Sequence, residues 1–233
     1  MTQEVVLHLE NASRIYVQGD QPVRALNQAT LTLRRGEFVA VAGPSGSGKT
    51  TLLNLAAGLD TPSSGRVILK GNDLSRMTRR QKARLRLEEV GFIFQTYNLI
   101  PVLSARENAE FVLLLRGMPR EERGRRVGRV LEQVGLRGLE KRRPAELSGG
   151  EQQRVAVARA IVAEPSLILA DEPTANLDST TAFALLDLME QLNRENGTTF
   201  LFSTHDLRVM KRAHRLIKLL DGDVESDERF DRP

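Results

Sequence analysis

The sequence predicts an α/β fold in which a mostly parallel sheet is covered by helices on both faces. Short apolar strands alternate with helix-period segments along most of the 233 residues. At one such junction a glycine-rich turn, Gly43-Pro44-Ser45-Gly46-Ser47-Gly48-Lys49-Thr50-Thr51, sits between a buried strand and an apolar helix. From about residue 95 to residue 145 the alternation stops and the pattern is nearly all helix, an insertion into the α/β chain.

Taken in order, residues 5–9 read as an edge strand, and residues 25–33 alternate apolar and polar like a half-exposed one. Between them stands Tyr16, one of two tyrosines. Its ring suits stacking on an adenine base, and it suits a strand-end tyrosine equally well. Residues 37–42 are a short buried strand. Residues 52–57 form an apolar helix stopped by Gly58. Residues 65–69 are a strand and 73–87 a polar, arginine-rich helix. Residues 90–94 return as a buried strand ending at Gln95. Ser104 caps a helix running towards Arg116, with Glu107 completing a capping box. Gly117-Met118-Pro119 breaks it. Residues 120–134 resume as an amphipathic helix with Val127, Val130, Leu131 and Val134 on one face. A helix follows over 151–162, then a buried strand over 166–170 that ends in Asp171-Glu172. A helix over 179–194, a strand over 198–203 running into Thr204-His205-Asp206, and a last strand over 216–220 complete the chain. In such a sheet ligands sit at the carboxyl ends of the strands.

The chemistry gathers at those ends. The glycine-rich turn matches G-x-x-x-x-G-K-[ST], whose main-chain N–H groups curl around phosphate oxygens at a helix N-terminus. Lys49 then reaches the β- and γ-phosphates, and the Thr50 hydroxyl ligates Mg²⁺. The chain thus binds a nucleoside triphosphate. Asp171 suits Mg²⁺, which takes few protein carboxylates and keeps several waters. Glu172 is placed to polarise a water as general base. His205 orients that water or meets the γ-phosphate, and Gln95 senses metal and water through its amide. A second glycine-led helix start, Ser148-Gly149-Gly150-Glu151-Gln152, is a second anion-binding helix N-terminus. One nucleotide cannot easily use both, so a second copy of the chain supplies the second across an interface.

Composition narrows the class. Hydrophobic residues at 40% and charged residues at 27% describe a globular chain of one α/β domain or a core with an inserted subdomain. The absence of cysteine excludes disulfides and thiolate metal sites. Met1-Thr2-Gln3-Glu4 begins no leader pattern, and no apolar run of about 18 residues spans a bilayer. Net charge is +4 and the isoelectric point about 9.7. The arginines cluster among interspersed glutamates without interleaved aromatic residues, which favours solvated helix faces over a nucleic-acid surface.

These motifs together resemble the ATP-binding subunits of ABC transporters over nearly the whole chain. The resemblance implies a P-loop NTPase core of the ABC ATPase type with an antiparallel β edge and an inserted α-helical subdomain. Residues 1–233 then form one ATP-binding domain, with core at 1–94 and 146–233 and subdomain at about 95–145. It implies that Tyr16 is similar to the adenine-stacking aromatic, that residues 43–51 are Walker A, and that Gln95 is the Q-loop glutamine. Ser148 to Gln152 look like the signature that touches ATP in trans, and Asp171 and Glu172 like Walker B with its catalytic glutamate. Ala175-Asn176-Leu177-Asp178 looks like the D-loop, and His205 like the switch histidine. The stretches Gly91-Phe92-Ile93-Phe94-Gln95 continuing to Asn98-Leu99-Ile100-Pro101, Arg106-Glu107-Asn108, and Ala170-Asp171-Glu172-Pro173-Thr174-Ala175-Asn176-Leu177-Asp178 resemble the lipoprotein-releasing and macrolide-exporting branch, which also includes a cell-division ATPase. Glu151 stands where that branch often has Gln, and Ala175 where it often has Gly. The expectations are an ATPase with ATP and Mg²⁺, a homodimer around two ATP, and an integral membrane permease as partner. The expected place is the cytoplasmic face of the inner membrane, with no direct nucleic-acid partner. The alternatives are a cell-division regulator and a soluble ABC ATPase not coupled to transport.

Overall fold

Two sheets account for the alternation. The computed structural model describes residues 4–19 and 21–230; the residues 1–3 on which the leader expectation rests lie outside them. Strand β1 (Val5–Gln18) pairs antiparallel with β2 (Gln21–Arg34). There follow β3 (Phe38–Ala42), α1 (Lys49–Ala56), β4 (Ser64–Leu69), β5 (Asn72–Asp73), α2 (Arg79–Glu89) and β6 (Val90–Ile93). Helices α3 (Ala105–Leu115) and α4 (Arg120–Gln133) make up the insertion, and α5 (Gly149–Ile161) leads back to β7 (Leu167–Ala170). The chain continues through α6 (Ser179–Asn196), β8 (Thr199–Thr204), α7 (Leu207–Met210), β9 (Arg215–Leu220) and β10 (Asp223–Arg229). One sheet has the order β2-β1-β4-β5 and is antiparallel; the other has the order β10-β9-β3-β8-β7-β6. In the second, β9, β3, β8, β7 and β6 are parallel, and only β10 runs against them.

Each sheet face has its own apolar cluster. On one side Val39, Val41, Leu167, Leu169 and Leu201 of the parallel strands pack with α1 and the antiparallel sheet. On the other, Phe38, Phe200 and Phe202 pack with α5, α6 and the inserted helices through Leu113, Val127 and Leu131. Phe38 makes an edge contact with Phe200 at 5.5 Å between ring centroids and a tilted one with Phe202 at 4.9 Å. The central strands are therefore apolar on both faces, as a covered parallel sheet requires.

Several sequence expectations need correction. Residues 5–9 belong not to an edge strand but to an inner strand of fourteen residues that includes Tyr16. The helix expected from residue 73 begins at Arg79, because Asp73 caps a single 3₁₀ turn and Thr78 with Gln81 forms a fresh capping box. Residues 94–104 and 134–148 are mostly irregular, so the insertion is less helical than its composition suggests. The strand over 216–220 is not the last. β10 follows it, almost wholly polar, and is held by ion pairs and main-chain bonds rather than by an apolar face.

Candidate functional site

The register of three neighbouring parallel strands builds the site. Ala170 of β7 lies opposite Phe202 of β8, and Val41 of β3 lies opposite Ser203. The phosphate loop, Asp171-Glu172 and Ser203–His205 therefore leave the sheet side by side. The loop carries the chain into α1 through Gly48, whose φ of 101° is left-handed. A Cβ at Gly48 would run into the Ala25 carbonyl, so the position needs glycine for space as well as for conformation. Lys49 is almost wholly buried and donates to the carbonyls of Gly43 (2.8 Å) and Pro44 (2.9 Å), which keeps its ammonium inside the loop. Ser47 Oγ is buried and has no hydrogen-bond partner among the described residues. A polar atom so placed is paired when an acceptor enters the loop.

Opposite the loop, Thr50 Oγ1 donates to Asp171 Oδ2 at 3.0 Å. Glu172 follows with a φ of 45°, a left-handed conformation that costs a non-glycine residue about 1–3 kcal/mol. Its Oε2 lies 3.0 Å from Nδ1 of His205. Thr50 and Asp171 thus offer a hydroxyl and a carboxylate to a hard cation. Among the described residues no three His, Asp or Glu side chains converge on one point. This set fits Mg²⁺, which leaves most of its sites to water and phosphate.

The other expected residues surround this centre. Gln95 is exposed just past β6, and its carbonyl accepts from Asn176 Nδ2 at 2.9 Å, tying residue 95 to residues 175–178. Tyr16 donates its hydroxyl to Asp60 at 2.7 Å, and the Arg14 guanidinium lies 4.6 Å from its ring centroid. One route to the ring is therefore taken by Arg14. Ser148 caps α5 reciprocally with Glu151: Glu151 N–H donates to the hydroxyl at 3.3 Å, and Ser148 N–H donates to the carboxylate at 2.7 Å. Those hydrogen bonds hold the Glu151 carboxyl below the usual carboxylate range. Gln152 turns back to the Leu147 carbonyl. Asp178 caps α6 through the N–H groups of Thr180 and Thr181 and accepts from the Thr181 hydroxyl at 2.6 Å, and these bonds lower its pKa. No hydrogen bond among the described residues joins residues 148–152 to the phosphate loop, so the start of α5 stands apart from that loop. Sequence reasoning missed Ser203, whose hydroxyl bridges Asp171 and Glu172, and Arg159, which holds the carbonyls of Tyr97 and Asn98. The signal for Ser203 was a hydroxyl directly after the apolar run Phe200-Leu201-Phe202, two residues before His205.

The ABC transporter family model matches residues 26–175, from before the phosphate loop through the two carboxylates. The chain belongs to the ABC transporter family. The cassette is 44% identical over 224 residues to the lipoprotein-releasing system ATP-binding protein LolD of Chromohalobacter salexigens, covering 96% of this chain and 94% of that one. It is 45% identical over 226 residues to the macrolide export ATP-binding/permease protein MacB of Sodalis glossinidius, covering 97% of this chain but spanning only 34% of that relative's length. A solved ATP-binding cassette, dimeric in a post-hydrolysis state with ADP and Pi, superposes with a TM-score of 0.88 at 40% identity, covering 96% of this chain and 98% of that one. The α/β architecture and the ATP-binding, ATP-hydrolysing character of the cassette rest on these likenesses. Among the described residues no helix is long and apolar enough to cross a membrane.

Proposed function

We propose that the cassette hydrolyses ATP between two copies of itself and passes the resulting motion to a membrane permease. The observation that carries this is the grouping of Lys49, Thr50, Asp171, Glu172 and His205 at the ends of adjacent strands, with the capped start of α5 held elsewhere. The loop from Gly43 to Thr51 holds the triphosphate, and Tyr16 meets the adenine. Thr50 and Asp171, with Gln95, would hold Mg²⁺, which when bound would offset phosphate charge. Glu172 accepts a proton from water as its oxygen attacks the γ-phosphorus, and ADP leaves with the bridging oxygen. His205 keeps the Glu172 carboxylate aimed. Ser148, Gly149, Gly150, Glu151 and Gln152 of the second copy close over the phosphates, with Asp178 beside them.

The permease side is read from exposed apolar residues on the insertion: Val102 (72% exposed), Leu114, Leu115 and Phe111. Next to them runs the segment Tyr97 to Pro101, directly after Gln95. A permease helix docked there would report on the metal site through one turn of chain, at the cytoplasmic face of the inner membrane. The relatives' names point to lipoprotein release or to macrolide export, and either cargo uses this same cassette geometry.

Two measurements test the reading. Glu172→Gln keeps shape but loses the base, so steady-state turnover falls about 10²-fold or more while ATP binding persists. Turnover near wild type removes Glu172 from that role. For docking, cysteines belong at Asn98 and Val102 rather than at Glu107, whose carboxylate is committed to capping α3. Crosslinks to the permease from those two sites and not from α6 are expected; the reverse pattern refutes the docking groove.

A further inference from the structure

We propose that Ser203 is a positioning residue, locking the metal-holding Asp171 and the base Glu172 into one unit. This deepens the reading above and rests on it. β8 is buried from end to end, and Ser203 is fully enclosed within it. A hydroxyl there is costly unless both its donor and its acceptor functions are used. They are. The hydroxyl donates to Asp171 Oδ1 at 2.5 Å and accepts from the Glu172 N–H at 2.8 Å. The direction is fixed, since a carboxylate can only accept and an amide N–H can only donate.

The consequence reaches both residues. Thr50 takes Oδ2 of Asp171 and Ser203 takes Oδ1, so the carboxylate plane is set from two sides. The same hydroxyl anchors the Glu172 N–H where the chain turns into its left-handed conformation, which needs such a hold to persist. Two residues further on, His205 Nδ1 lies 3.0 Å from the Glu172 carboxylate. The end of β8 therefore fixes Glu172 at its main chain and Asp171 at its side chain. Strand register makes this possible, because Ala170 opposite Phe202 brings Asp171 level with Ser203.

The test uses the intact cassette with Ser203→Ala, Ser203→Val and Ser203→Thr, and Asp171→Asn as reference. Affinity for a fluorescent ATP analogue is measured with Mg²⁺ and with EDTA, beside turnover and melting temperature. In Ser203→Ala and Ser203→Val the gain in affinity that Mg²⁺ confers, and kcat, each fall about tenfold or more, as when an outer partner of a metal ligand is removed. Affinity in EDTA stays at the wild-type value, since the phosphate loop is untouched. Ser203→Thr keeps the hydroxyl and recovers the Mg²⁺ gain. Wild-type Mg²⁺ gain and kcat in both Ala and Val variants overturn the proposal, as does an equal loss of affinity in EDTA. If Asp171→Asn loses the Mg²⁺ gain while Ser203→Ala keeps it, only the role of Ser203 fails. If Asp171→Asn also keeps it, the assignment of Asp171 fails first.

Discussion

Lys49 shows how far a single side chain reaches in this protein. Its ammonium is buried and satisfied by two carbonyls of its own loop, so it braces the loop and is the charge proposed to meet phosphate. Lys49→Ala is expected to weaken ATP binding more than tenfold, because a charged hydrogen bond is worth roughly 1.5–3 kcal/mol. Titration with a non-hydrolysable analogue checks it, and unchanged affinity would sink the phosphate-loop assignment. Residues such as Lys49, Asp171 and Glu172 were legible because their chemistry is written in a short run of sequence. Ser203, Arg159 and the partner of Tyr16 were not. Tyr16 finds Asp60, 44 positions on, and Ser203 finds Asp171, 32 positions back, through strand register that no local pattern encodes.

At the scale of elements, helix starts were the best-read features, because a capping box is a local contract between two side chains. Ser104 with Glu107 was expected and is formed; Thr78 with Gln81 was overlooked, and the helix start moved with it. β10 was invisible because its residues offer no apolar alternation. Asp227 with Arg215, and Arg229 with Glu37, hold it instead. The box at Ser148 carries a prediction. Glu151 places a carboxylate at the start of α5, the end proposed to face a partner's ATP. Its folded pKa is depressed, so its capping contribution is full above the unfolded value of about 4.3 and is lost as pH falls through the folded one. Glu151→Gln keeps the acceptor for the Ser148 N–H and removes the charge. The ATP-bound dimer of Glu172→Gln should then tighten about threefold per site, from a helix-terminus charge effect of about 0.3–1 kcal/mol. Sedimentation against protein concentration decides it; a looser dimer shows that Glu151 does not face the phosphates.

Across the whole molecule, the parallel sheet separates two apolar clusters, and α1 and α5 belong to different ones. α1 leaves the strand ends directly. α5 packs with the inserted helices, and a Cβ added at Gly149 or Gly150 in its first turn would meet Tyr97 or Thr181, not the phosphate loop. On the proposed reading, one chain holds two halves of an ATP site that it does not itself close. Two copies related by a two-fold axis would then complete two sites, with the nucleotide as part of the interface. The energetics follow from linkage. To move the pair from about 1% to about 99% closed, ATP must favour the closed form by about 10⁴-fold, or roughly 10² at each site. ADP lacks the γ-phosphate proposed to span the two helix starts, so on this reading it supplies little of that difference. Glu172→Gln should thus be a dimer with ATP and mostly a monomer with ADP or without nucleotide. Gly149→Asp in that background should abolish the dimer, since an anion then faces the partner's γ-phosphate. A side chain at residue 149 first meets the Tyr97 hydroxyl, the free end of a side chain that can swing aside, so the monomer should fold and bind ATP. Light scattering beside ATP titration on both variants is the measurement. An ATP dimer that survives Gly149→Asp, or an oligomer indifferent to nucleotide, would mean that protein surface alone joins the copies and that ATP is not the bridge.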